Sequence, residues 1–463
     1  MNDTQSNSKH GFYLFKLHAK ELDSGYVDRT PMFQYILLSL MFPLWGAAAS
    51  LNDILITQFK TVFTLSNVAS AFVQTAFYLG YFLIAIPASL IIKKTSYKLA
   101  IMIGLSLYTI GCFLFFPASN MGTYGFFLVA LFALACGLSF LETASNTYSS
   151  LIGPEKYSVL RLNISQTFYP IGAIGGILLG KYLIFGSGAN LETQMAGLKG
   201  QARIEFGERM LQHTLLPYKY IIVVLLCALV IFGLTQFPSG KPKKQDNETD
   251  DTAKISETLT YLIHNSKFKQ GIFAEFMYVG MQTAVWSFTI RLAMELNHTI
   301  NERSASTFMI FSYAAFFIGK VVANFMIKSM HPSRVLQIFS VLGFACLIYI
   351  VFVHNMTAVY MAIVVSGLFG PCWATIYSQT LATVTDRRHT ETAGAIIVMS
   401  IIGGAFIPVA QGYVADISNM SVSFSVNAVC FLVVFIYAIS KLRESKNNPT
   451  QNDPQEVISD ENN

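Results

Sequence analysis

The sequence predicts an all-α membrane protein with about twelve transmembrane helices arranged as two pseudo-symmetric six-helix bundles. Three observations carry that expectation. Of its 463 residues, 53% are hydrophobic and 12% charged, and the mean hydropathy is +0.49, whereas soluble domains carry roughly 25% charged residues. Apolar runs recur at about 20 residues, the length that crosses a hydrocarbon core roughly 30 Å thick. A single polar stretch divides those runs into two sets of six.

Apolar runs read against polar breaks give spans near 33–58, 67–92, 99–117, 124–150, 161–185 and 217–236. A second set follows near 269–294, 305–328, 335–353, 357–384, 391–414 and 422–441. Residues 1–32 are polar and lack the basic start, short apolar core and small-residue cleavage site of a signal peptide. They are therefore expected to remain as an N-terminal tail. The bundles are placed at 33–236 and 269–441, joined by a linker over 237–268 that includes KPKKQDNETDDTAK, with a C-terminal tail over 442–463.

Basic residues in short loops set the orientation. With the N-terminus inside, Lys93, Lys94, Lys98, Lys156, Arg161, Lys241, Lys243, Lys244, Lys328, Arg334, Arg387, Arg388, Lys441 and Arg443 all fall on the cytoplasmic side. The opposite short loops hold little beyond Lys60, Arg291 and Arg303, although the longer 186–216 loop adds Lys199, Arg203 and Arg209. Both termini are expected in the cytoplasm of a cell whose plasma (inner) membrane holds the chain. The net charge of +5 needs no nucleic-acid partner. The six cysteines, Cys112, Cys136, Cys227, Cys346, Cys372 and Cys430, lie in apolar segments without CxxC spacing, so they read as small hydrophobes rather than metal ligands or a disulfide framework.

The two sets look related. LIIKKTSYKLAI after the second span resembles FMIKSMHPSRVLQI after the eighth, and PIGAIGGILLG in the fifth parallels IIGGAFIPVAQG in the eleventh. Two parallel six-helix repeats describe the major facilitator architecture, whose halves meet at a central cavity near mid-membrane. Gly175–Gly176 and Gly403–Gly404 are expected to permit close helix packing.

A charged side chain at mid-bilayer costs about 2.5–3.5 kcal/mol on insertion scales, so a carboxylate inside a span needs a reason. Asp53 in AAASLNDILITQF and Glu142 in GLSFLETASNTYSS are the two such acids that stand out. Their neighbours form faces at helical spacing. Trp45, Asn52 and Asp53 lie about two turns apart on the first span; Glu142, Asn146 and Ser149 share a face of the fourth. Gln74, Tyr78 and Tyr81 do so on the second, and Glu275, Tyr278, Gln282 and Trp286 on the seventh. Amides and carboxyls beside aromatic rings suit a sugar, whose hydroxyls pair with the former and whose C–H-rich face packs on the latter.

The plainer alternative is that such groups only bond helices together, as polar side chains in membranes often do. It holds most weight for Thr143, Ser145, Ser149 and Gln74. Glu275 is placed near the cytoplasmic surface and Lys320 is read as snorkelling to it; both are expected to be structural. A neutral carboxylic acid avoids much of the burial cost. A carboxyl that gains a proton on one side and loses it on the other would couple transport to the proton gradient. The proton would then be the coupling ion, with no other cofactor. Gly175-GILL-Gly180-Lys181 mimics a phosphate-binding loop but continues with Tyr182 inside a span, and no catalytic triad or metal cluster is present.

Several segments, LNDILITQF, FVQTAFYLGYFLIAIPASLIIKKTSYK, FLETASN, RLNISQTF, YVGMQTAVWSFTIR and IVMSIIGGAFIPVAQG, together resemble the L-fucose:proton symporter family, in order from about Leu44 to Asp416. The resemblance implies the major facilitator fold and import of sugar with protons. It implies that Asp53 and Glu142 are the essential membrane acids, Glu142 close to the sugar and Asp53 tying protonation to conformational change. It also makes Gln166 a sugar-cavity residue and places Gln282 with the fucose-type members rather than with glucose and galactose carriers, which tend to have glutamate there.

The chain departs from the family pattern at Ser50 of SLND, at Tyr169 where asparagine is usual, in ETASNT, and at Cys372-Trp-Ala-Thr-Ile-Tyr377, which brings Trp373 into the expected cavity. The expected function is thus proton-coupled import of a monosaccharide, L-fucose or a related deoxyhexose or neutral hexose. Trp45, Asn52, Glu142, Asn146, Gln166, Tyr169, Gln282, Trp286 and Trp373 are the expected sugar contacts. A proton-driven exporter of drugs or metabolites in the same fold, a non-transporting sugar receptor and a passive channel remain the alternatives.

Overall fold

Twelve crossings are present in the computed structural model, which describes residues 13–63, 67–121, 123–179, 197–198, 200–241, 253–300 and 302–447. The first span is Met32–Ser39 continued by Met41–Val62, the second Asn67–Lys94, the third Tyr97–Met121 and the fourth Tyr124–Leu151. The fifth is made of Ser158–Gln166 and Tyr169–Leu179, and the sixth is Leu216–Leu234. The seventh is Ser266–Leu296, the eighth Glu302–Ser329 and the ninth Pro332–Phe352. The tenth is made of Met356–Leu368 and Cys372–Leu381. The eleventh joins Thr390–Met399 to Gly403–Ile417 through a 3-10 turn, and the twelfth is Ser425–Asn447, preceded by the turn Met420–Ser423. Among the described residues two further α-helices stand outside this count: Gln201–Thr214 before the sixth span and Ile255–His264 in the linker.

Ten of these helical segments are long and apolar enough by composition to cross a bilayer. The fifth and seventh spans are the two that fall short, and each for a local reason. The fifth carries Arg161, Asn163, Ser165 and Gln166 in its described part, 158–179. The seventh carries Lys267, Lys269, Glu275, Gln282, Arg291 and Glu295 along its length.

Packing repeats with a shift of six. In the first half, span one packs on five, two on four, and three on four and six; in the second half, seven packs on eleven, eight on ten, and nine on ten and twelve. The contacts between halves obey the same rule, two with eleven matching eight with five, and four with eleven matching ten with five. Close approach is set by glycines at corresponding places. A Cβ on Gly172 of the fifth span would lie 1.9 Å from the Pro43 carbonyl oxygen of the first, and one on Gly403 of the eleventh 2.1 Å from that of Phe276 on the seventh. Gly176 and Gly404 also face neighbours, at 2.2 Å and 3.0 Å, whereas Gly175 has nothing within 4 Å. Close packing therefore explains three of the four glycines singled out.

Large apolar side chains such as Phe325, Phe352, Val409 and Tyr413 are turned outward. A soluble surface would not carry so many; a surface facing lipid does. Cys227 lies on that outer surface, while Cys112, Cys136, Cys372 and Cys430 are buried.

Residues 13–30, 235–241 and 253–265 gather with the basic loops at one end of the molecule, the termini side of the described residues, where cations close the carbonyl ends of helices. Lys98 donates to the Gly233 and Thr235 carbonyls at 2.9 and 2.8 Å, and Lys241 to those of Lys93 and Thr95 at 2.7 and 3.0 Å. Arg161, buried, donates to the carbonyls of Ser149, Ser150 and Pro154. Residues 13–30 pack over this end, with Tyr26 and Val27 buried and Phe15 bridged to Thr235.

Candidate functional site

From Leu134 to Leu151 every residue of the fourth span is buried, so this helix is enclosed on all faces rather than amphipathic. It nevertheless carries Ser139, Glu142, Thr143, Ser145, Asn146, Thr147, Ser149 and Ser150. That composition is tolerable only where each group meets a partner, water or a ligand.

Glu142 is 5% exposed. It faces Tyr81 of the second span. The ion pairs of the described residues do not include it; Glu142 is interior and not locked to a cation. One turn on, the same face presents Asn146, whose carbonyl oxygen accepts from the Gln166 amide of the fifth span at 2.8 Å, while its own NH2 has no protein partner. Glu142, Asn146 and Gln166 thus stand together, an acceptor beside uncommitted donors, the combination a polyol requires.

The other expected contacts are placed as follows. Tyr169, at the start of the second segment of the fifth span, meets Phe316 of the eighth across the halves, ring centroids 6.5 Å apart, and Tyr81 and Tyr278 have it among their neighbours. Gln282 is half-buried and bonds to Tyr278. Trp373 is 7% exposed with its indole N–H unpartnered, its ring over Tyr377 at 6.2 Å. Trp286 differs: its N–H donates to Ser366 at 3.1 Å and its ring packs on Tyr313 at 4.5 Å. Trp45 is buried against Phe42 at 4.4 Å. Asn52, Asp53 and Gln74 lie on helical backbone, but their side chains fall outside the described residues.

Two expectations are overturned. Glu275 is not near the surface: its exposure is 0% and both carboxyl oxygens lack a partner. Lys320 does not snorkel out; it is 2% exposed and donates to the Gly370 carbonyl at 3.3 Å. That carbonyl is freed by the break in the tenth span at 369–371, so an interior acceptor draws the lysine inward. Neither the break nor the burial can be read from hydropathy.

Among the described residues four hydrogen bonds join the halves, all on the termini side of Glu142. Thr147 pairs with Tyr377 at 2.8 Å, Asn163 donates to Thr375 at 3.3 Å, Asn324 donates to Thr167 at 2.8 Å, and Ser89 meets Thr392 at 3.5 Å. A Cβ on Gly394 of the eleventh span would lie 2.5 Å from the Thr147 hydroxyl. These contacts tie the halves together as a seal between Glu142 and the basic end. Sequence reading missed this seal; each residue looks like an ordinary small polar group, and only the pairing across halves distinguishes it.

At that end the linker helix rests on the loop after the tenth span. Thr258 bonds His389 at 2.8 Å and Tyr261 stacks on its ring at 4.5 Å. A hydrogen bond from Arg388 holds Asp386 below the usual carboxylate range, and burial pushes His389 below the ordinary imidazole value. The described residues contain no cluster suited to a metal ion.

Residues 32–336 and 271–460 match the model of the Major Facilitator Superfamily. The chain is 33% identical over 423 residues to the L-fucose-proton symporter of Escherichia coli (strain K12), covering 91% of this chain and 95% of the relative. It is 26% identical to a glucose/galactose transporter of Brucella abortus biovar 1, covering 87% and 92%. A solved structure of a major facilitator superfamily transporter, FucP, in the outward conformation superposes with a TM-score of 0.79 at 32% identity, covering 88% of this chain and 98% of that one.

Proposed function

The chain belongs to the major facilitator superfamily, within its L-fucose:proton symporter family, and from that premise we propose that it is a proton-coupled symporter that imports a monosaccharide by alternating access. It is a transporter, not an enzyme. The sugar is L-fucose or a related deoxyhexose or neutral hexose, since relatives named for L-fucose and for glucose/galactose both align over most of the chain.

One observation carries the mechanism: Glu142 is enclosed, set beside a neutral phenol rather than ion-paired to a cation, and adjacent to the Asn146–Gln166 amide pair. A carboxyl so placed can hold a proton and accept from a sugar hydroxyl at one site, so that binding and protonation are felt together. Asp53, three spans earlier in sequence order, is assigned the second coupling acid. Asn52, Tyr169, Gln282 and Trp373 are assigned to the sugar, with Trp45 and Trp286 shaping the walls. The bundles of 33–236 and 269–441 rock about this center.

The basic end is assigned to the cytoplasm and the chain to the plasma (inner) membrane. The observed state is then closed to the cytoplasm by the seal at Thr147–Tyr377 and its neighbours. Rocking would break four hydrogen bonds on one side and form others opposite. The test is a panel of labelled monosaccharides assayed in proteoliposomes for uptake that depends on an inward proton gradient. Saturable, gradient-dependent uptake of a deoxyhexose or neutral hexose is expected; gradient-independent uptake of every sugar would contradict the proposal.

A further inference from the structure

The second half holds an acid that the account above does not use. Glu275 lies on the seventh span with zero exposure and two carboxyl oxygens that no protein donor reaches. An ionised carboxylate left so would cost several kcal/mol, and helix cohesion is no explanation, because it bonds to nothing. Its surroundings are specific. Glu142 of the fourth span and Lys320 of the eighth are the charged groups acting on it. Cys372 and Tyr377 of the tenth span, Tyr278 on its own helix and Tyr437 of the twelfth are the titratable groups that have it as a neighbour. The eleventh span packs on the seventh at Gly403 and Ile407, which bring backbone and apolar carbon there.

Lys320 is held short of an ion pair with it. Its ammonium donates to the Gly370 carbonyl and sits 4.6 Å over the Phe316 ring, which leaves two of its three donors free. A buried acid without a donor, beside a buried ammonium that is only partly engaged, forms an assembly with two arrangements: a protonated acid apart from the lysine, or a carboxylate closed onto it.

We propose that Glu275, with Lys320 as its counter-charge, is a further proton-exchanging acid of the transport cycle, set in the opposite half of the molecule from Glu142. In the sealed state Glu275 holds its proton, because no water or donor reaches it. When the Thr147–Tyr377 seal parts, water enters from the termini side. The acid O–H bond breaks, the proton passes to that water, and the remaining carboxylate closes onto the Lys320 ammonium. As the seal closes, the carboxylate leaves the ammonium and takes a proton from the hydrated proton of the departing water, so that the neutral acid is restored. Glu142 and Glu275 come from different halves and act on one another across the interface, so two ionised carboxyls would oppose closure. Protonation of the pair and the closed state therefore favour each other.

The proposal rests on the symport reading, and the experiment separates the two. Reconstituted protein is titrated while the infrared C=O band of protonated carboxyl groups is followed, alongside sugar counterflow as a function of pH. The wild type is expected to show a titrating band component that disappears in Glu275→Gln and persists in Glu142→Gln. Counterflow in Glu275→Gln should lose most of a pH dependence that reaches about tenfold per pH unit beyond the titration point, and Glu275→Asp should restore it. An unchanged band in Glu275→Gln, or an unchanged pH profile, would overturn the role of Glu275. If Glu275→Gln loses counterflow entirely, the Asp variant decides: recovered, pH-dependent exchange supports the proposal and its absence refutes it. Absence of proton-linked sugar uptake by the wild type would instead remove the underlying reading, whatever the band does.

Discussion

The two halves of the molecule share a packing plan and differ in their chemistry. Several main contacts within spans one to six recur within spans seven to twelve after a shift of six, down to a glycine of the fifth and of the eleventh span pressed on a backbone carbonyl of its neighbour. Yet the central acid of the first half has a phenol and an amide pair beside it, whereas that of the second has no hydrogen bond and a lysine nearby. Shape repeats because helix packing depends on small residues at crossing points. Chemistry diverges because a single polar side chain can change without disturbing those crossings. One half is equipped to meet a hydroxyl-rich solute, and the other to answer it with charge.

The largest expected effect breaks that comparison on the solute side. One proton moved down 100 mV supplies about 2.3 kcal/mol, enough for roughly fiftyfold accumulation of a neutral sugar. Glu142→Gln should reduce accumulation in energised proteoliposomes to equilibration, and Asp53→Asn should do the same. Full accumulation in both variants would show that the first half does not couple protons.

The shared plan is tested by paired glycine substitutions. Gly172→Ala and Gly403→Ala each drive a methyl group into a carbonyl oxygen, and overpacking of that kind costs about 1–3 kcal/mol. Both should lower the thermal unfolding midpoint in detergent by similar amounts, while Gly175→Ala, with open space around it, should leave it unchanged. A large difference between the first two would deny the equivalence of the crossings.

Much of the fold was legible because bilayer thickness imposes itself on sequence. The polar stretch after Pro238, the basic loops and the doubled order of spans all follow from where water ends. Glu142 and Asn146 were also legible, as a carboxyl and an amide one turn apart on an otherwise apolar run, whereas Gln166 was singled out only through the family resemblance of RLNISQTF. Glu275 and Lys320 were misplaced because hydropathy gives a residue's distance from a helix end, not the partner that retains it; the Gly370 carbonyl becomes an acceptor only after the tenth span breaks. The seal was invisible for a related reason. Thr147 and Tyr377 are 230 residues apart, and nothing local marks them as partners.

A smaller effect concerns how the halves meet. Tyr377→Phe removes one bond of the seal, worth about 0.5–1.5 kcal/mol net. It should shift the balance between states closed and open at the termini end by about two- to tenfold, read as the distance distribution between spin labels on the linker-side ends of the fourth and tenth spans. An unchanged distribution would mean that the seal is set by packing alone.

The smallest lies at the linker. Asp386 and His389 both titrate below their ordinary values in the folded protein, so the unfolded loop binds more protons as pH falls. Stability of this contact is complete above about pH 6.5, the ordinary imidazole value, and declines as pH drops toward the depressed one; the part due to Asp386 is lost only in stronger acid. Protection from hydrogen exchange over Ile255–His264, taken relative to the intrinsic rate at each pH, should therefore fall between neutrality and pH 5, and His389→Gln should remove that dependence. Exchange that is flat with pH in the parent protein would contradict the assignment.

The claim on which the rest depends is that sugar and proton move together through the enclosed center. A pH electrode in a lightly buffered suspension of de-energised proteoliposomes reads this directly. Addition of L-fucose, or of the hexose preferred in the uptake panel, should alkalinise the medium in step with sugar entry, and Glu142→Gln should abolish the signal. Saturable sugar entry with no movement of the electrode would contradict the account.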